Sequence, residues 1–173
     1  MAVRVDHAVI NVLTGMDAAA GRFAALGFAP TARGYHSLGS INHLMMFGRD
    51  YLELVGIEPG AKKVREEVAS SPIGLNGLVF ATGDARALHA RLAAAGVPVL
   101  DPLDFSRPVV IDGKEQVAAF TTVRVDPGFV QGGRVYYCEH RTPELVWHRP
   151  WLVHPNGAQG LAEFVVVSSD PAQ

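Results

Sequence analysis

The chain has 173 residues, 49% of them hydrophobic and 18% charged, enough for one compact domain with a sizeable core or for two small fused modules. A formal net charge of −2 argues against the broad basic surface that nucleic acid or an anionic membrane favours. No apolar run approaches the roughly 18–20 residues that span a bilayer, no export-like start precedes the first element, and the single cysteine, Cys138, has no internal disulfide partner, so a cytoplasmic protein is expected.

The first predicted element is the strand "VDHAVINV", residues 5–12. Its alternation sends Ala8, Ile10 and Val12 toward a helix and His7, Val9 and Asn11 the other way. A turn at Gly15 leads into an alanine-rich helix with Asp17 near its start and a Leu26-Gly27-Phe28 stop. Strand-like segments follow at residues 29–35, 41–47 and 51–57, and residues 59–72, with "KKVREEV", read as a linker with a solvated charged face. The order then repeats. "GLNGLVFATGDARALHARLAAAGVPV" is again strand, turn at Gly83, helix begun at Asp84 and a Gly96 stop, followed by strands near 109–111, 118–125 and 135–138. Finally "GLAEFVVVSSDP" aligns without a gap on "GLNGLVFATGDA", so a third copy begins and stops where its helix would start. The predicted organisation is a βαβββ module over 1–58, a linker over 59–72, a second module over 73–148, and a terminal segment over 149–173 that carries one further strand.

In "YLELVG" the residues Leu52 and Leu54 belong with the helix-facing set, which puts Tyr51, Glu53 and Val55 on the face shared with His7. An imidazole and a carboxylate meeting on one concave, apolar face suit a divalent metal ion; they also suit a plain hydrogen-bonded pair.

The paired modules, "DHAVINV", the "ALGF" helix end, "RGYHSLGSINHL" and "YLELVG" together resemble the vicinal oxygen chelate superfamily, in its glyoxalase-like branch. The resemblance implies an α+β fold in which two tandem βαβββ modules form a curled mixed β-sheet cup with the helices outside. It also implies metal ligands on the first and last strands of each module, positions that His7 and Glu53 match. The second module departs from this pattern, because Gly77 stands where His7 stands in the first. Downstream, "YYCEHRTPELVWHRPWLVHPNGA" offers Glu139, His140, Glu144, His148 and His154; alternation with Tyr136 and Cys138 selects His140 as the residue facing the cup. In the third copy Glu163 occupies the His7 position, as a replacement ligand or by coincidence.

The implied function is a metal-dependent enzyme in which Zn, Fe, Mn, Ni or Co, bound by His7, Glu53 and His140, holds adjacent oxygens of a small substrate and stabilises an enolate or oxyanion. Glu53, where it is not a firm ligand, is the candidate proton-transfer base. Isomerase, lyase and dioxygenase chemistry all fit this class. The alternative is a metal-free protein of the bleomycin-resistance type that sequesters a small molecule. Candidate substrate-binding residues are Val9, Asn11, His43, Tyr51 and Val55, with His43 in phase with Met45 and Phe47. The tryptophan-containing segment after His140 is either a lid or core, and Cys138 reads as a small buried hydrophobe. A homodimer built partly through residues 161–167 is expected, since an unpaired apolar strand needs a partner.

Overall fold

Alternating β-branched and polar residues make β1 (Val5–Leu13) a strand, which turns into α1 (Met16–Ala25) where the Gly15 N–H donates to the Val12 carbonyl at 2.8 Å. The computed structural model describes residues 4–130 and 132–167. The first module continues with β2 (Gly34–Tyr35), β3 (Ile41–Met46) and β4 (Tyr51–Gly56). A one-turn helix α2 (Glu66–Ala69) connects it to β5 (Gly74–Ala81), α3 (Ala85–Ala94), β6 (Leu103–Ile111), β7 (Lys114–Arg124) and β8 (Arg134–His140). Each module is βαβββ, as the repeat predicts.

The strands form one eight-stranded mixed sheet in the order β2-β3-β4-β1-β5-β8-β7-β6. Each module's first strand runs parallel to its last, β1 to β4 and β5 to β8, and β1 pairs with β5 antiparallel to join the modules. The sheet curls until its two ends meet: Ser37 N–H donates to the Ser106 carbonyl at 2.8 Å, and Ser106 N–H donates to Ser37 Oγ at 3.1 Å. The result is a nearly closed cup.

Alternation divides the apolar residues between the two faces. Val9, Leu44, Met46, Tyr51 and Val55 pack inside the cup with Val79, Phe120, Tyr136 and Cys138. Val12, Ile41, Met45, Phe47 and Leu54 pack outside, beneath Phe23 of α1. Each aliphatic side chain so buried contributes about 1.5–3 kcal/mol. The helix ends follow the predicted punctuation, with Asp84 accepting from the Ala87 N–H at 2.9 Å and with Gly27 and Gly96 at φ 82° and 78°.

Four expectations change. β2 is only two residues long. The β6–β7 hairpin is longer than read, because Asp112-Gly113, at φ 51° and 75°, forms a tight turn that brings residues 103–108 and 114–117 into the ladder. The linker is docked, not a free charged face: Val68 is fully buried, and Glu67 meets Arg65, Arg124 and Arg134 at 2.6, 3.0 and 3.5 Å. Residues 161–167 form no strand; Leu161 packs on the outer cluster while Val165, Val166 and Val167 stay exposed. Residues 164–167 lie beside β5 and β8, where they wall a groove with Leu75, Leu78 and Val135, and not along the edge strands β2 and β6. Among the described residues, no helix is long and apolar enough to cross a membrane.

Candidate functional site

The mouth of the cup leads to a cavity of about 30 Å³, lined by His7, His36, Asn42, Glu53, Tyr136 and Arg107 among others. That volume holds about two water molecules or a carboxylate-sized group. β1 delivers His7 and β4 delivers Glu53 to this space, and His7 Nε2 stands 3.5 Å from Glu53 Oε2. The His7 ring is held flat against Tyr51, with centroids 4.3 Å apart and planes 13° apart.

The other edge of His7 is tied to a residue that the sequence reading missed. Asp6 is fully buried, and its Oδ1 accepts from His7 Nδ1 at 2.7 Å and from His140 Nε2 at 2.9 Å. Burial pushes the Asp6 carboxyl up, but the hydrogen bonds from His140 and His7 outweigh it and hold the group well below the usual carboxylate range. Asp6 is therefore an ionised, acceptor-only carboxylate, and both imidazoles must donate to it. The register of β1 against β5 shifts between Val5 and His7, which breaks the alternation that would otherwise turn Asp6 outward.

Glu53 is set from the other side. Asn42 Nδ2 donates to its Oε1 at 2.7 Å and also reaches His36 Nε2 at 3.3 Å, while His36 Nδ1 lies 2.9 Å from Ser40 Oγ. Burial pulls His36 down to about 4 despite the opposing pull of Glu53, so its ring is neutral. Burial pushes the Glu53 carboxyl up, but the neighbouring His7 and the Asn42 hydrogen bond outweigh it and hold the group below its ordinary value, leaving it ionised.

The donor set fits a metal ion in part. With Nδ1 directed at Asp6, His7 turns Nε2 toward the Glu53 carboxylate, and either a metal ion or the imidazole's own second proton can lie between the two. Donors bound at about 2.0–2.2 Å stand roughly 3.0–3.5 Å apart on one ion, and the His7–Glu53 separation falls in that range. The carboxylate behind His7 is also the usual outer support of a ligating imidazole. What is missing is the second module's share. A Cβ at Gly77 would lie 2.7 Å from the Val9 Cβ, so Val9 fills the place a ligand on β5 would need. His140 does face the cup, but its Nε2 is committed to Asp6. Asp6, Cys138 and His140 form a second group, each with a ligand atom within 4.8 Å of the others. Burial pushes the Cys138 thiol well up, which disfavours the thiolate a metal would need there.

The remaining expected site residues separate. Tyr51 lines the cavity; Val9 and Val55 lie in the core cluster on the same face without lining it. Asn11 is a bracket, its Nδ2 donating to the Val68 and Ser71 carbonyls, both at 2.9 Å, and its Oδ1 accepting from the Leu13 N–H at 3.2 Å. His43 corrects the pocket list: it shares the outer parity of Ile41 and Met45, and its Nδ1 lies 2.7 Å from the Thr31 carbonyl. Glu139 points outward and accepts from the Ala85 N–H at 2.8 Å. Glu163 is exposed and outside the cavity. The segment after β8 packs down as core, with Trp147 edge-on to His140 at 4.7 Å and Val146 buried.

Residues 5–173 match the family described as "Glyoxalase-like domain". The chain belongs to that family. No curated protein matches the sequence. Solved structures share the fold of this glyoxalase-like domain. A hypothetical protein from Staphylococcus aureus is 15% identical with a TM-score of 0.63 over 81% of this chain, which spans 60% of that protein's length. A methylmalonyl-CoA epimerase in complex with methylmalonyl-CoA and NH4+ is 20% identical, with a TM-score of 0.59 over 82% of this chain and 96% of that one. A variant of Streptomyces coelicolor methylmalonyl-CoA epimerase in complex with 2-nitronate-propionyl-CoA is 21% identical, with a TM-score of 0.58 over 80% of this chain and 94% of that one.

Proposed function

We propose that this glyoxalase-like domain is a metal-assisted enzyme that moves a proton on a small oxygen-bearing substrate through an enolate or oxyanion. The observation that carries the reading is the His7 Nε2–Glu53 Oε2 pair, 3.5 Å apart at the cavity wall, with His7 oriented from behind by Asp6. A divalent ion held by His7 and Glu53 would supply Lewis-acid polarisation of adjacent substrate oxygens. With two protein donors, the remaining coordination positions of such an ion are open to water and substrate.

The chain's own groups have distinct tasks. Glu53 is the one ionised carboxylate among the cavity-lining residues, and ionised is the state from which a base takes a proton. Asn42 keeps that carboxylate from rotating away by fixing Oε1. The Tyr51 and Tyr136 hydroxyls, both pushed up by burial, stay protonated and can donate to a developing oxyanion. The fold neighbours named as methylmalonyl-CoA epimerases make an isomerase one member of this reaction class. The space filled by Val9 beside Gly77 favours a second reading, a metal-free protein that binds a small molecule.

Elemental analysis of chelator-free protein separates the two, together with NMR detection of carbon-bound hydrogen exchange in D2O over a panel of small 2-oxo and 2-hydroxy acids and thioesters. Near-stoichiometric metal that is lost in His7→Ala and Glu53→Gln, with exchange lost in Glu53→Gln, is the expected result. Equal trace metal in all three proteins and no exchange would leave the binding protein.

A further inference from the structure

The cup contains a guanidinium with no direct ion-pair partner among the described residues; the carboxylate that shares its cavity is Glu53. Arg107 comes from β6, in phase with Phe105, Val109 and Ile111 on the inward side of the strand, and is only 4% exposed. Among the described residues no carboxylate lies within ion-pair distance of it, and its Nη2 is buried without a hydrogen-bond partner. A buried guanidinium left unpaired is costly, and Arg remains charged because its deprotonation is out of reach in proteins.

The surrounding chain makes room for this arginine. Gly34 on β2 lies against it: a Cβ there would come within 3.1 Å of Arg107 Cδ, 3.4 Å of Nη1, and 2.3 Å of Asn42 Oδ1. Glycine at that position lets the arginine stem cross the closure between β2 and β6 and bring its head to the wall that carries Glu53 and Asn42. Arg107 also borders an outer groove with Tyr35 and Trp151, on the far side of the same closure.

We infer that Arg107 is the anion-binding residue of this cavity and that the substrate carries a carboxylate, held by the guanidinium fork, beside the carbonyl or hydroxyl oxygen that faces His7 and Glu53. The inference rests on the proposed function for the second oxygen only; the carboxylate site stands on Arg107 itself. A planar fork matched to two oxygens is the geometry in which arginine recognises carboxylates. Arg107 and the His7–Glu53 pair line one small cavity, so an acid with a carbonyl or hydroxyl next to its carboxylate reaches both at once.

The test uses pyruvate as the probe and the neutral pyruvamide as its isostere, with thermal shift and calorimetric titration of the full chain before and after EDTA treatment. Wild-type protein should bind pyruvate and not pyruvamide, in both metal states. Arg107→Met should bind pyruvate at least about tenfold more weakly, the loss expected for one charged hydrogen-bonded contact. Its metal content should equal that of wild type, and its ligand-free melting temperature should not fall, because a buried charge with no direct ion-pair partner has been removed. Arg107→Lys, which keeps the charge and loses the fork, should fall between the two, and it decides the matter if Arg107→Met does not fold. Equal pyruvate affinity in wild type and Arg107→Lys or Arg107→Met, equal response to pyruvate and pyruvamide, or no wild-type response at millimolar pyruvate overturns the assignment. Absence of metal from the wild-type protein before EDTA treatment, with pyruvate binding intact, would instead strike the proposed function and leave Arg107 in place.

Discussion

Asp6 is the residue on which the polar side of the cup turns. One carboxylate oxygen receives two imidazole N–H groups while the other, Oδ2, is buried with no partner. Asp6→Asn keeps the size but removes the charge and buries an amide without an acceptor, so a loss of about 2–4 kcal/mol in urea denaturation is expected. If His7 is a ligand, the same substitution should weaken metal uptake by about ten- to a hundredfold; unchanged stability would mean the two hydrogen bonds carry no net weight. His36 gives the pH dependence. Its folded value of about 4 lies below the ordinary 6.5 because burial penalises the charged ring. The unfolded chain therefore binds a proton at a pH where the native chain does not, and stability falls as pH drops through that window and levels off below it. The loss is up to about 3 kcal/mol. Depressed carboxyls such as Asp6 and Glu53 act in the same direction, but only below about pH 5. His36→Gln should flatten the stability profile between 6.5 and about 4, measured by urea denaturation against pH; an unaltered acid limb would assign the loss elsewhere.

At the scale of elements, the β1–β5 junction decides what the cup can hold. Val9 opposes Gly77 across this antiparallel pair, and the register slips by one residue just beyond, between Val9 and Ile10. Gly77→Ala would place a Cβ 2.7 Å from the Val9 Cβ, overpacking the junction at a cost of about 1–3 kcal/mol. Val9→Ala leaves a void and costs about 2 kcal/mol. Together the two should cost about 1 kcal/mol less than their sum, because each relieves the strain of the other; additive losses would show that the two side chains do not compete for one space. Much of this architecture is legible in the chain. The repeat places both helices, the parity of "VDHAVINV" and "YLELVG" brings His7 and Glu53 to one face, and alternation in β8 turns His140 inward and Glu139 out. Where parity fails, a local irregularity is the cause: Asp6 sits at a register shift, and Arg107 belongs to a part of β6 that becomes a strand only because β7 pairs with it.

For the whole molecule, the open question raised by the terminal segment is its partner. Val165, Val166 and Val167 are 69%, 73% and 91% exposed, and their segment pairs with no strand of the sheet. We propose that residues 161–167 pair with a second copy, burying two apolar strands about a twofold axis. Size-exclusion chromatography with light scattering should find a dimer for the intact chain and a monomer for a chain ending at Asn156. The truncated chain should also melt lower, because Leu161 no longer packs on the outer cluster. A monomer in both cases removes the pairing.

The sequence by itself determined the module order, the two-faced strands and the meeting of His7 with Glu53. All of these follow from local rules, the alternation of side chains along a strand and the residues that start and stop a helix. Tertiary structure alone decided the rest. Asp6 joins the site because β1 slips against β5, Asn11 is consumed by the docked linker, and His43 turns to the Thr31 carbonyl. Arg107 reaches the cavity because β2 and β6, some seventy residues apart in sequence, close on each other across Gly34. Such placements depend on how distant strands register and close, and no local pattern of residues encodes that.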